Sequence, residues 1–354
     1  MQQLEELLKT AAAEKASDIY LISGRPISYK VNGEITLMGD ERLAPSDTHE
    51  LISTIYRMAG GRSMSRVEER GDDDFSFSLP NIARFRVNTY MQRGTVAAVI
   101  RIVAFELPDP ATLGIPQTVL DQSEKMKGLV LVTGPAGSGK STTLSCIIDR
   151  INKTRSGHII TLEDPIEFLH RHGRSIVSQR EINLDTDSYV VALRAALRQA
   201  PDVILIGELR DSETIEIAMT AAETGHLVIS TLHTVGAANT IDRVLDAFPP
   251  NQQGQIRVQL AMVLQSVVSQ QLVRSTDGSI LPVFEIMLVN DAIRNMIRES
   301  KIHQIDSVIA SSQADGMATM DAGLLALYKE GKITADTAAA YAAQPELMRK
   351  RMGA

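Results

Sequence analysis

Gly134-Pro135-Ala136-Gly137-Ser138-Gly139-Lys140-Ser141 fits the pattern G-x-x-x-x-G-K-[ST], a spacing suited to holding a polyphosphate. Gly134, Gly137 and Gly139 let the backbone turn tightly enough for its N–H groups to face phosphate oxygens. The first turn of a following helix, which contains Thr142, belongs to the same cradle. Lys140 can reach the β- and γ-phosphates, and the Ser141 hydroxyl can complete the shell of a Mg²⁺ ion. The flanks agree with that use. Gly128-Leu129-Val130-Leu131-Val132-Thr133 is a short, continuous apolar run, as a buried parallel strand requires. Ser141 to Arg150 then places Leu144, Ile147 and Ile148 on one helical face. Strand, glycine loop and helix in that order imply a nucleoside triphosphate site.

In open α/β sheets, groups that act on a ligand sit just beyond the carboxyl ends of strands. Three further segments meet that condition. His158-Ile159-Ile160-Thr161-Leu162 runs into Glu163-Asp164, and Glu163 is placed to polarise a water for attack on a γ-phosphate. Two acids after a strand also suit a capped or solvated turn, the lesser reading. Val203-Ile204-Leu205-Ile206-Gly207-Glu208 has the Walker-B form, four apolar residues ending in an acid. Gly207 stands where an Asp is usual, which leaves Glu208 to act on Mg²⁺ directly or through water, while Asp211 reads as the cap of the next helix. His226 and His233 bracket the apolar strand Leu227–Thr231. With no third ligand they make a poor metal site, and they suit structural roles or sensing of a γ-phosphate equally well.

The elements that position these residues fall into two halves. The chain has 354 residues, enough for two domains. In the first half, Leu4, Leu7, Leu8 and Ala11 form a helical stripe, and Leu51 to Met58 forms a second helix. Asp18–Ile22, Ile27–Val31, Ala83–Met91 and Val96–Val103 read as strands, with a hairpin turn at Asn32-Gly33. This implies a small α+β module over residues 1–103. A proline-punctuated linker covers 104–117, with Phe105-Glu106-Leu107-Pro108-Asp109-Pro110 at its start. From 118 to 354 the pattern is an α/β domain with a mostly parallel sheet on Leu129–Thr133, His158–Leu162, Val203–Ile206 and Leu227–Thr231. The last hundred residues read as largely helical: Gln255–Gln270, Asp291–Ser300, Thr319–Glu330 and an Ala-rich tail from Thr334.

Bulk properties narrow the function classes. A net charge of −7 argues against a dedicated nucleic-acid binder, though not against a basic patch inside a ring or channel. Cys146 is the only cysteine, which excludes an intrachain disulfide and a cysteine-rich zinc site. No apolar run approaches the ~18–20 residues of a membrane span. The segment Met1 to Leu8 lacks the basic region and apolar stretch of a signal peptide. The expectation is a cytoplasmic protein whose membrane association comes through partners.

Taken together, the four segments resemble the secretion ATPase superfamily, and within it the PilT-like retraction ATPases of type IV pili. The Gly134–Ser141 loop resembles the family's Walker A, Thr161 to Phe168 its aspartate box, Val203 to Asp211 its Walker B, and Ala222 to Thr234 its histidine box. Ala292-Ile293-Arg294-Asn295-Met296-Ile297-Arg298-Glu299 resembles the short C-terminal motif of the retraction branch, and its helical pattern also suits an ordinary surface helix. The resemblance implies a PAS-like N-terminal domain, a RecA-like P-loop ATPase domain and a helical C-terminal region. It implies that Glu163 is the general base, that Glu208 organises Mg²⁺ and water, and that His226 and His233 sense nucleotide state. It also implies arginine fingers at Arg86 and Arg101, from the Arg84–Asn88 and Ile100-Arg101 segments. The implied protein is a hexameric, Mg²⁺-dependent ATPase, peripheral to the inner membrane through an integral platform protein, with a paralogous pilus ATPase as a further candidate partner. Its hydrolysis would rotate rigid domains about the linker and draw pilin subunits out of a pilus. An accessory paralogue that assists another motor, an ATPase for export or DNA uptake, and a non-catalytic nucleotide-gated scaffold are the alternatives. Two residues depart from the family pattern: Tyr20 where His is common, and Ala200 where Asp is usual, the latter with little consequence expected.

Overall fold

The computed structural model describes residues 2–31, 33–80, 82–104 and 107–353. Its chain divides into two compact units, Met1–Glu106 with Ile166–Leu169, and Leu107–Pro165 with His170–Ala354. Phe105 and Glu106 of the expected linker, and Asn32 of the expected turn, lie outside the described residues.

The first unit sets helices α1 (Gln2–Ala13), α2 (Pro45–Met58) and α3 (Ser65–Arg70) beside a six-stranded antiparallel sheet. Its strands are β1 (Asp18–Leu21), β2 (Ser28–Val31), β3 (Glu34–Leu37), β4 (Asp72–Leu79), β5 (Ala83–Gln92) and β6 (Thr95–Ala104), in the order β3-β2-β1-β6-β5-β4. Alternation decides which face is core: Ala83, Phe85 and Val87 are buried, while Arg84, Arg86 and Asn88 between them are only partly covered. Two of these strands carry little sequence signal. All four residues of β3 are exposed, and β4 opens on Asp72-Asp73-Asp74, poor strand formers. Asp73 is nonetheless fully buried. It accepts hydrogen bonds from Arg62 Nε (2.9 Å), Arg62 Nη2 (2.8 Å) and Tyr56 Oη (3.1 Å), which ties α2 and the loop after it to the sheet. Helix α2 begins earlier than the apolar stripe suggests, because Pro45 suits a first turn and Asp47 accepts the Ala44 N–H at 2.7 Å.

The second unit is built on a seven-stranded sheet of β7 (Gly128–Thr133), β8 (His158–Glu163), β9 (Ile176–Glu181), β10 (Val203–Ile206), β11 (Leu227–Leu232), β12 (Leu264–Arg274) and β13 (Ile280–Leu288). The order is β13-β12-β7-β11-β10-β8-β9, and every neighbouring pair is parallel except β12 with β13. Helices α4 (Gln117–Leu120), α5 (Lys140–Thr154), α6 (Tyr189–Ala196), α7 (Ser212–Glu223), α8 (Ala237–Asp246) and α9 (Pro250–Val263) alternate with the strands. They are followed by α10 (Asp291–Arg298), α11 (Ile305–Ser311), α12 (Met320–Lys329), α13 (Ala335–Tyr341) and α14 (Pro345–Met352). Two apolar cores flank the sheet. One gathers Leu131, Ile206 and Met219; the other gathers Val132, Ile147 and Ile229, as the alternation of strand faces demands.

The expected helix Gln255–Gln270 is corrected. Helix α9 ends at Val263, and the chain passes directly into β12, a strand of 11 residues lying between β7 and β13. Ile256, Leu260, Val263, Leu264 and Val267 keep helical spacing across the junction, so the pattern does not mark where α9 gives way to β12. Strand β13 follows as a hairpin, which places sheet where helix was expected. Glu285 on β13 is buried beneath two helix starts. Its Oε1 accepts the Ala237 N–H of α8 at 2.7 Å, and its Oε2 accepts the Met320 N–H of α12 at 3.4 Å. Burial raises its pKa above the ordinary glutamate value, against the lowering effect of those two N–H groups. Ala200 adopts φ 49°, a left-handed conformation that costs a Cβ-bearing residue energy, so the exchange at this position has a backbone consequence. No helix among the described residues is long and apolar enough to cross a membrane.

Candidate functional site

The loop 134–141 follows β7 and ends where α5 begins at Lys140. Gly134, Gly137 and Gly139 have φ of 140°, 74° and 85°, which only glycine adopts at little cost. Gly134 and Gly139 are also required by space. A Cβ on Gly134 would lie 2.1 Å from the Gln270 carbonyl oxygen and 2.7 Å from Ser138 Oγ, and one on Gly139 would lie 2.9 Å from Gln270 Nε2. Pro135, Ala136 and Gly137 form the exposed crest, and Ser138 and Lys140 are buried beneath it. Lys140 Nζ donates to the carbonyls of Gly134 and Pro135, both at 2.8 Å, so the ammonium is folded across the concave side of the loop. Ser138 Oγ is buried with no hydrogen-bond partner among the described residues. A concave loop at a helix start, with an ammonium and an unsatisfied hydroxyl, fits an oxyanion such as a phosphate. Ser141 and Thr142 lie half-buried in the first turn of α5.

The carboxylates lie at the same edge of the sheet. Moving from β7, the neighbours are β11, then β10, then β8; His233 is one residue beyond the end of β11, Glu208 two beyond the end of β10, and Glu163 is the last residue of β8. Glu208 forms an ion pair with Arg210 and accepts from His233 Nε2 at 3.3 Å. Burial opposes its charge, but the hydrogen bonds and charges of Arg210 and His233 prevail and hold its pKa below the ordinary value. Glu208, Arg210, His233, Thr234 and Arg243 line an open cavity of about 360 Å³. Glu163 Oε1 accepts from Thr161 Oγ1 at 2.6 Å and from Gln179 Nε2 at 3.2 Å. Gln179 in turn accepts the His170 N–H at 2.8 Å.

The glycine in the Walker-B segment has a spatial cause. A Cβ on Gly207 would sit 2.7 Å from Tyr189 Oη. That phenol, at the start of α6, is half-buried, and its pKa is driven up by loss of solvent and by Asp164 and Glu208. Sequence reasoning missed Tyr189, Arg210, Gln179 and Gln270. Only Arg210, two residues beyond Glu208, carried any local signal.

The two histidines are not brought together. His233 follows the carboxyl end of β11, whereas His226 precedes its amino end and accepts the Gly128 N–H through its carbonyl at 3.0 Å. Its Nδ1 lies 2.9 Å from the Ala221 carbonyl, a helix-end contact. Seven residues of extended chain span roughly 23 Å. His226 is therefore at the opposite edge of the sheet from the 134–141 loop of its own chain, and His233 is at the same edge as that loop.

In the first unit, Arg86 of β5 and Arg101 of β6 are direct cross-strand neighbours. Arg101 Nε donates to Asp18 Oδ1 at 3.0 Å across the β1–β6 pair. Asp18, Asp74, Arg86, Asn88 and Arg101 line an open depression of about 300 Å³. Tyr20, two residues along β1, is half-buried opposite Val99.

Residues 1–281 match the family described as type II/IV secretion system protein. The chain is 43% identical over 343 residues to the type IV pilus retractation ATPase PilT of Pseudomonas aeruginosa, covering 97% of this chain and 99% of that one. The type IV pilus ATPase PilU of the same organism is 38% identical over 341 residues, covering 96% and 88%. The crystal structure of the pilus retraction motor PilT with bound ADP matches with a TM-score of 0.88 at 45% identity, over 98% of each chain.

Proposed function

The chain belongs to the type II/IV secretion system protein family, and we propose that it is an ATP-hydrolysing motor that powers retraction of a type IV pilus. The observation that carries the ATPase reading is the convergence of the 134–141 loop, Glu208 and Glu163 on one edge of the parallel sheet. The pilus assignment rests on the near-full-length likeness to the retraction ATPase.

In this reading the loop N–H groups, Ser138 and Lys140 hold the phosphates, and Lys140 exchanges its two carbonyl partners for phosphate oxygens. Ser141 and Glu208 would hold Mg²⁺, Glu208 directly or through water; the depressed pKa of Glu208 keeps it anionic for that purpose. Bound there, the ion would neutralise charge on the transferred phosphoryl group. Glu163 orients the attacking water, with Thr161 and Gln179 fixing its carboxylate. His233, through Glu208, reports the state of the site. Arg86 and Arg101 supply positive charge to a nucleotide on a second domain, which makes turnover depend on domain closure about residues 104–117. Fingers acting across subunits require a ring or a pair, and the homo-hexamer is the proposed assembly. It works in the cytoplasm against an inner-membrane platform protein.

Two relatives from one organism, PilT and PilU, resemble the chain over nearly its whole length, and an accessory paralogue is the second reading. Steady-state ATP hydrolysis per protomer, followed across a wide range of protein concentration, separates the two. The motor reading expects a rate that climbs and then levels as sites are completed between subunits. ATP binding with no hydrolysis at any concentration would refute the motor in favour of the accessory paralogue.

A further inference from the structure

Gln270 lies beneath the phosphate loop and belongs to none of the motifs. Strand β12 runs parallel to β7 with Ser269 opposite Thr133, so Gln270 stands level with the point where β7 gives way to the loop. It is only 3% exposed. Its backbone carbonyl closes on Gly134 and its side-chain amide on Gly139, the two loop glycines that space alone would require. Its Oε1 accepts from Thr143 Oγ1, in the first turn of α5, at 2.7 Å. That bond fixes the amide so that Nε2 is the end facing the loop. Nε2 donates to no acceptor among the described residues, although the side chain as a whole is almost wholly enclosed. A donor that Thr143 holds toward the floor of an anion cradle, and that no protein acceptor uses, is left available to the cradle's occupant.

We propose that Gln270 is a positioning residue of the phosphate loop: Thr143 orients its amide, and its Nε2 supplies a neutral hydrogen-bond donor to the floor of the cradle when an anion is held there. The inference rests on the nucleotide reading of that loop. A neutral amide suits the place because an aspartate or glutamate would set negative charge against phosphate, and a lysine would crowd Gly139 and compete with Lys140.

Binding of the fluorescent N-methylanthraniloyl derivative of ADP to the full chain tests this, as the ratio of variant to native affinity at about pH 8 and about pH 5.5, which bracket the titration of a buried carboxyl. Gln270→Glu keeps the size of the side chain and an oxygen for Thr143, but replaces the donor with a charge. Its affinity is expected to fall at least tenfold at the higher pH and to recover most of that loss at the lower one. Thr143→Val, which removes only the orienting bond, should weaken binding a few-fold equally at both pH values. A Gln270→Glu protein within twofold of native at both pH values would reduce Gln270 to packing and overturn the inference. Should that variant fail to fold, Gln270→Met decides. It is neutral and of similar length; a several-fold loss independent of pH supports the donor, and native affinity overturns it. Native protein that binds no probe would overturn the nucleotide reading and this inference with it, whereas native binding with unaffected variants removes the inference alone.

Discussion

Replacing Gly207 with alanine asks whether the strand end beside Glu208 is shaped by the Tyr189 phenol. Gly207 does not have a left-handed φ, so alanine suits its backbone and the whole effect is one of space. The new methyl would lie 2.7 Å from Tyr189 Oη, about 0.7 Å inside ordinary contact at 3.4 Å. Tyr189 is packed against the core of the second unit and cannot retreat freely. Overpacking of this kind costs about 1–3 kcal/mol. At about 2 kcal/mol, the apparent unfolding midpoint of a unit this size falls by about 4–8 °C. If the same strain displaces Glu208, turnover falls by up to about 30-fold. Tyr189→Phe provides the control. With Oη gone, the nearest remaining atoms are the Leu162 carbonyl oxygen at 3.3 Å and Glu163 Cα at 3.5 Å, both close to ordinary contact. In the Tyr189→Phe background the alanine should therefore cost less than about 0.5 kcal/mol, giving a coupling energy of more than 1 kcal/mol. Scanning calorimetry of the four proteins, with ATP turnover measured alongside, completes the cycle. Equal costs of Gly207→Ala in both backgrounds would refute the steric account of this glycine.

Three further outcomes are expected. Glu208→Gln should retain nucleotide binding and lose at least about 100-fold in turnover; because the carboxyl of Glu208 is held below its ordinary pKa, the acid limb of the native pH–rate profile should not reach the ordinary glutamate range through this residue. Ala200→Asn, at an exposed site with φ 49°, should stabilise the protein by about 0.5–1 kcal/mol, read as a rise of about 1–4 °C in the unfolding midpoint. Asp73→Ala, which strips the buried partner from Arg62 and Tyr56, should cost about 3–5 kcal/mol at neutral pH. Arg62 and Tyr56 hold the Asp73 pKa below its unfolded value despite burial, so its contribution is complete above that unfolded value, near pH 4, and is lost as pH falls through the folded one. The gap between variant and native stabilities should accordingly narrow on acidification, and a gap constant from neutral to strongly acid pH would contradict the assignment.

How far the molecule could be read from its residues depended on whether a signal was local. The phosphate loop is local: eight consecutive residues specify strand end, turn and helix start, and the structure places them so. Glu163 and Glu208 were legible because one closes a short apolar strand and the other stands two residues beyond one. The histidines were not, since a spacing of seven residues says nothing of proximity until the intervening chain is known to be extended. Strand β12 was lost for a different reason: helical spacing of apolar residues runs from Ile256 through Val267, and α9 meets β12 with no intervening loop. With β12 went Gln270, whose place depends wholly on the parallel pairing with β7. Tyr189 is likewise a matter of tertiary placement, and only the unusual glycine at 207 hinted that something large stood over that strand end.

The carboxylate of Glu285 holds the starts of α8 and α12 together, and α8 begins four residues after His233. The tail is thus welded to the engine. A chain cut just before Met320 would retain every nucleotide motif, yet it would leave a half-satisfied acid stranded in an oily interior and loosen the segment that carries His233. Through Glu285, α12 is joined to the helix start that follows His233, at the edge of the sheet where the phosphates are expected to sit. The helices beyond β13 are better regarded as a lever forged in one piece with the motor than as an appendage bolted to it.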